Sequence, residues 1–115
     1  MEVIFGEDHG VRVSRMDEKG NGGAHHHYSL TDVKCKELFG AVDFQDGPVG
    51  EVGLKGCQNE DLLAIVIDRL ECFQAGPFKC DENHFALGFV KKAVDCLEQR
   101  TADRRERGVE GKNEA

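Results

Sequence analysis

The sequence predicts an α+β protein: an N-terminal antiparallel β-sheet followed by a C-terminal antiparallel helical hairpin, in an oligomeric assembly. Three observations lead there. The first half consists of short β-branched runs separated by glycine-rich turns, the punctuation of small strands. From Leu62 to Leu97 the apolar residues recur instead at spacings of three and four, the period of a helix. At 115 residues, with 39% hydrophobic, no Trp and 32% charged, the chain has the length of one domain and a lean core, so association with further copies would help it. The expected organisation is a single domain over residues 1–115: a β-rich part (1–57), the hairpin (58–108) and a tail (109–115).

Residues 1–5 and 11–14 carry the β-branched content of two strands, joined through Gly6-Glu7-Asp8-His9-Gly10. Lys19-Gly20-Asn21-Gly22-Gly23 is too glycine-rich for an element interior and reads as a flexible loop. A third strand is expected over 25–30. Residues 38–44 alternate loosely around Phe39, Val42 and Phe44, and Asp46-Gly47-Pro48 then supplies turn chemistry before 49–54. There Val52 and Leu54 would share one face and Glu51 and Gly53 the other, which predicts a hairpin.

The helical half opens at Gln58-Asn59-Glu60-Asp61, where Asn59 can cap and two acids suit the macrodipole of the first turn. Leu62, Leu63, Val66, Leu70 and Phe73 form a stripe that Ile65 and Ile67 widen, which predicts a helix buried on more than one side. Gly76-Pro77 ends it, and the short link over 75–79 favours an antiparallel partner. The second helix is expected from Cys80 or Asp81, with Ala86, Phe89, Val90, Ala93, Val94 and Leu97 keeping helical spacing and helix formers continuing to Arg107 before Gly108. At ~1.5 Å per residue it would run ~40 Å against ~24 Å for the first, so its last turns overhang. The tail beyond Gly108 is polar and expected to fray.

The net charge of −7 argues against duplex nucleic acid and anionic membrane as partners, since both need a broad basic face. Five Cys with no CxxC pair, and no apolar leader at residue 1 onward, read as reduced thiols of a cytosolic protein. Cys72 and Cys96, at helix positions, read as small apolar fillers. No apolar run reaches the ~18 residues of a membrane span. A nucleophile elbow, P-loop, GxGxxG or paired-acid signature is lacking, so no catalytic residues and no cofactor are expected. His25-His26-His27 would place His25 and His27 on one strand face, two ligands of a metal site without a third; polar contacts are the stronger reading and zinc the weaker.

Arg100, Arg104 and Arg107 lie at i, i+4 and i+7 on one face of the overhang, with Arg105 pointing elsewhere. Spacing leaves two readings. The stripe is a solvated, dipole-compensating helix end in which Asp103 pairs with Arg107, or it is a phosphate clamp, because guanidinium forks match phosphate oxygens. Phe73 and Asn83 flank the interhelical turn; a core role for the ring and a local hydrogen bond for the amide are the stronger readings, and the reading of a purine by stacking and by an amide on its edge is one that spacing alone does not select. Since they lie at the end of the hairpin opposite Arg100 and Arg104, one site using all four needs two subunits.

The runs LLAIVIDRLECFQAGPFKCDEN and RTADRRERGVEG, with HHHYSLT and FQDGPVGEVGLKG upstream, resemble the phage Thoeris anti-defence sponges, whose helical hairpin is shared with the anti-CBASS sponges. The resemblance spans about the last three quarters of the chain. It implies a non-enzymatic binder in the host bacterial cytoplasm that sequesters glycocyclic ADP-ribose isomers (1''-2' and 1''-3') without cleaving them. It also implies a homo-oligomer, dimer or hexamer, and a family in which some members hold cyclic trinucleotides at separate sites. Matched to that pattern, Phe73 takes the aromatic stacking position, Asn83 the base-contacting position, and Arg100 and Arg104 the phosphate positions. The departures are Lys79-Cys80-Asp81 after GPF and the terminal KNEA, which bear on ligand preference. Two other classes remain: a non-catalytic phage structural or assembly oligomer, whose arginines pair with a neighbour's acids, and a metal-dependent hydrolase using the histidines.

Overall fold

The computed structural model describes residues 1–109 and Lys112. It separates into two compact units between Cys57 and Gln58, where the hydrophobic period changes. Each is taken by itself.

The first unit is a four-stranded antiparallel sheet in the order β1-β2-β3-β4, with β1 at Glu2–Phe5, β2 at Val11–Arg15, β3 at His27–Asp32 and β4 at Leu38–Asp43. The β1–β2 link is a 3-10 turn, Glu7–His9, bracketed by Gly6 at φ 98° and Gly10 at φ 94°. Gly6 has a second constraint, since a Cβ there would lie 1.9 Å from the carbonyl oxygen of Val11. The long β2–β3 loop, expected to be flexible, is closed by hydrogen bonds: Gly20 N–H to Ala24 O at 2.9 Å, Gly23 N–H to Gly20 O at 3.0 Å, and Asn21 Nδ2 to Asp46 Oδ1 at 2.8 Å. Strand β3 begins at His27, not at residue 25, because the amide of His26 turns to the Asp17 carboxylate.

The hairpin expected between 38–44 and 49–54 does not form. Strand β4 pairs with β3, Phe44 bridges Cys57, and Val49–Val52 is a single helical turn, α1. Pro48 O accepts from the amides of Glu51 at 3.0 Å and Val52 at 2.9 Å, and Gly47 and Gly53 stand at φ 92° and 79°, which no regular strand accommodates. Gln45 completes the structure. Its amide donates to Gly47 O at 3.0 Å and Gly53 O at 2.8 Å and accepts from Lys55 N–H at 2.8 Å, so this loop satisfies its backbone without a ladder.

The second unit is the expected antiparallel hairpin of α2, Asn59–Gln74, and α3, Asp81–Glu106. The cap is Gln58, one residue before Asn59, and its N–H donates to Asp61 Oδ2 at 2.8 Å. Helix α2 ends through Ala75 N–H to Glu71 O at 3.0 Å, and α3 ends at Gly108, φ 71°. The seam is narrower than the stripes implied. Leu62, Leu63, Ile67, Leu70, Leu87, Val90, Val94 and Leu97 are half-buried, whereas Ile65, Val66, Phe85 and Phe89 are exposed, Phe89 at 72%. Ala86, Ala93, Cys72 and Cys96 are exposed too, so neither thiol is a core filler within this chain. Two helices share one seam, and their side chains on the far sides lie outside it. Among the described residues the buried side chains are those of Ser14, His26 and Ser29, none of them apolar, and of these Ser14 is fully enclosed. The tail expected to fray lies outside the described residues except for Val109 and Lys112, and Val109 is tied back by its N–H to Arg104 O at 3.0 Å.

Candidate functional site

Phe73 and Asn83 flank the turn end of the hairpin, and one side chain clasps that turn. The Gln74 amide accepts from Cys80 N–H and donates to Cys80 O, both at 3.1 Å, fixing the last residue of α2 to the N-cap of α3. Phe73 is thus the penultimate residue of α2 and Asn83 the third of α3, and both are half-buried. Sequence reasoning missed Arg69. Its guanidinium lies 4.9 Å from the Phe73 ring centroid, a cation–π contact one turn back along α2, and it occupies one face of the ring. The i, i+4 spacing of Arg69 and Phe73 was the available signal. A planar ligand stacking on Phe73 would use the opposite face, with the ring polarised by the cation behind it.

Arg100 and Arg104 come together at the other end. Cys96, Gln99, Arg100, Asp103, Arg104 and Arg107 line an open groove of about 510 Å³ along the last turns of α3. The helix C-terminus carries about half a negative charge, so without its arginines this end would repel an anion. Arg100 is exposed, while Arg104 is half-buried and its Nη2 donates to Val109 O at 3.0 Å. The chain reversal at Gly108 thereby fixes one guanidinium in the groove. Asp103, expected to pair with Arg107, accepts from Gln99 Nε2 at 2.9 Å. From Asn83 to Arg100 along α3 is about 25 Å at 1.5 Å per residue. One hairpin therefore carries two separate clusters, one aromatic and polar and the other cationic.

The histidines form a separate structural cluster in the first unit. His25 Nδ1 lies 2.8 Å from Asp17 O, His26 Nε2 lies 2.9 Å from Asn21 O and 3.5 Å from Asp46 Oδ1, and His27 Nδ1 lies 2.7 Å from Asp43 Oδ1. The shared-face argument for His25 and His27 fails because only His27 is in the strand. Among the described residues no three His, Cys, Asp or Glu side chains are placed to hold a metal ion. The hydrogen bond to Asp43 raises the His27 pKa against the opposing effect of desolvation, and the charges of Asp43, Asp17 and Asp46 add to the rise. Desolvation pushes the Asp17 carboxyl upward, but the amides of His26 and His27 and the nearby His27 and His25 rings outweigh it and its pKa is lowered. The polar-contact reading of the triplet thus has specific partners: Asp17 and Asn21 within the β2–β3 loop, Asp46 in the turn after β4, and Asp43 across the β3–β4 pair.

The hairpin itself is matched by a known family. The family described as "Acb2/Tad1, hairpin domain" matches residues 40–102, which takes in all of α2 and α3 as far as Ala102, with Arg100 of the groove inside the match and Arg104 and Arg107 beyond it. The chain is also 44% identical over 102 residues to the protein named Thoeris anti-defense 1 of Bacillus phage SBSphiJ7, a match covering 89% of this chain and 70% of that one. The chain belongs to the phage Thoeris anti-defence family that carries the Acb2/Tad1 hairpin.

Proposed function

We propose that this chain is a phage anti-defence sponge: a non-enzymatic homo-oligomer, dimer or hexamer, that binds glycocyclic ADP-ribose signals, the 1''-2' and 1''-3' isomers, and withholds them from Thoeris immunity without cleaving them in the host cytoplasm. The anti-defence role is supported by family membership and by the name of the phage relative. The ligand class is supported by the resemblance described above and by one observation of this chain, the groove that gathers Arg100, Arg104 and Arg107 on the overhang of α3. Two guanidinium forks a turn apart suit a diphosphate. Phe73 offers a stacking face and Asn83 an amide for the adenine of the same ligand, contributed by a second copy because one chain separates the two half-sites along α3. The exposed Ile65, Phe85 and Phe89 give further copies an apolar surface to cover. Cyclic trinucleotides, held by some relatives, belong to the same chemical class and would occupy separate sites.

The test is calorimetric titration of the purified protein with each cyclic isomer, followed by heat denaturation and recovery of the ligand. Binding tighter than about micromolar to at least one isomer, with the ligand returned intact, is expected. Weaker binding to both would remove the ligand assignment and leave a structural or assembly oligomer as the better reading; a cleaved ligand would make the chain an enzyme.

A further inference from the structure

We infer that Asp103 is the sugar-reading residue of the arginine groove, accepting the vicinal hydroxyls of a ribose attached to the bound diphosphate. This rests on the diphosphate reading of the groove and deepens it. An acid is the least expected residue there. It stands between Arg100 and Arg107, beside Arg104, at a helix C-terminus whose dipole is already negative, and a groove made for phosphate alone would hold its anion better without it. A ribose phosphate, however, presents two kinds of group. Its phosphate oxygens need donors, which guanidinium supplies. Its hydroxyls must also donate, and arginine has no acceptor to offer.

Of the six described residues lining the groove, Asp103 is the anionic one, and a carboxylate has lone pairs for about four hydrogen bonds. Gln99 Nε2, 2.9 Å from Oδ1, takes one of them, which orients the carboxylate and leaves capacity for a pair of hydroxyls. Phosphate and sugar contacts then alternate along a single helix face: Arg100 and Arg104 a turn apart for the diphosphate, Asp103 between them in register for the ribose bonded to it. Both cyclic isomers retain the vicinal hydroxyls of the ribose whose anomeric carbon closes the ring, so Asp103 would serve both alike and discriminate against inorganic polyphosphate.

The sign of one substitution decides. Asp103→Asn keeps an oxygen for Gln99 but removes a negative charge from the groove. If Asp103 only tempers repulsion among the arginines, its loss tightens an anion. If it accepts ribose hydroxyls, its loss weakens binding of both isomers by about tenfold or more, as for a lost charged hydrogen bond. Titration of wild type and Asp103→Asn with the two cyclic isomers is expected to give the second result with an unchanged thermal melt. Asp103→Ser, a smaller side chain without the charge, should repeat it. Equal or tighter binding by either folded variant, beside a wild type that binds, overturns the assignment and leaves the diphosphate reading standing. A wild type that binds neither isomer refutes the diphosphate reading, and Asp103 falls with it.

Discussion

Arg100 and Arg104 share a groove but are held differently, and that difference yields a sharp prediction. Arg100 is exposed, while Arg104 is half-buried and donates to Val109 O at 3.0 Å, closing the turn that follows α3. Removing Arg100 should cost binding and nothing else. A hydrogen bond to a charged group contributes roughly 1.5–3 kcal/mol, so Arg100→Ala should raise Kd about 10- to 150-fold with the thermal melt unchanged. Arg104→Ala should lose a comparable amount in binding and, in addition, about 1 kcal/mol of stability, the ordinary worth of a neutral-acceptor bond that the folded chain makes and the unfolded chain gives to water. Arg104→Lys preserves charge but not the planar fork, so it should recover part of the stability and little of the affinity. Calorimetry with the cyclic isomers and urea denaturation of the same preparations measure both quantities. Arg100→Ala with wild-type affinity for a ligand that wild type binds would refute the clamp and return the stripe to a solvated, dipole-compensating face. A stability loss at Arg100 as large as at Arg104 would refute the distinction between them.

Gly6→Ala places a Cβ 1.9 Å from Val11 O at φ 98°, whereas Gly10→Ala at φ 94° meets nothing within 4 Å. The first should cost about 2–5 kcal/mol, strain plus overlap, and the second only the ~1–2 kcal/mol of conformation, both read from urea midpoints. The pH dependence follows from two shifts. His27 is raised by Asp43, so its contribution is full below the ordinary histidine range and fades as pH rises through the elevated value. Asp17 is lowered, so its contribution is full above the ordinary carboxylate range and fades as pH falls through the depressed value. Asp43→Asn should therefore destabilise at pH ~6 more than at pH ~9, and equal effects at both would sink this account. Phe89→Ser, at a side chain 72% exposed in the single chain, should lower the mass measured by light scattering if copies cover that surface, with the isolated hairpin's own seam intact.

The hairpin was legible because its determinants are local: acids and a cap before α2, Gly76-Pro77 after it, and Gly108 at φ 71° after α3. Residues 49–54 were misread for an equally physical reason. Two apolar positions two apart, Val52 and Leu54, fit a strand no better than a turn, and the deciding interactions come from Gln45, whose bonds to Gly47, Gly53 and Lys55 no periodicity announces. His25 and His26 were misplaced because Asp17, nine residues before His26, takes the His26 amide, so that regular pairing with β4 starts only at His27. The stripe of α2 was read too wide. Spacing shows which residues can share a face and not how much of that face another helix covers, so Ile65 was counted as widening the buried side and is exposed. The groove arginines were visible as a row; that Val109 fixes Arg104, that Arg69 backs Phe73, and that Asp103 turns to Gln99 were not.

The groove also sets a condition on any sponge built from this chain. Sequestration requires a Kd below the signal's concentration, and micromolar affinity already corresponds to about −8 kcal/mol. An anion on an exposed arginine gains only about 0.2–1 kcal/mol per pair, because water screens the charge and long side chains lose freedom. Three such contacts along one open helix face fall several kcal/mol short. The same guanidinium forks become worth about 1.5–3 kcal/mol each only when water is excluded around them. An aromatic half-site then adds stacking of about 1–3 kcal/mol. Excluding that water and supplying that ring are what a second copy's turn end, with Phe73, Asn83 and the backing Arg69, is equipped to do. On this reasoning affinity and assembly are one property. Phe89→Ser should weaken the cyclic isomers as it lowers the mass, although Phe89 lies outside the groove, and a dissociated variant that bound them as tightly as wild type would show that a single hairpin suffices.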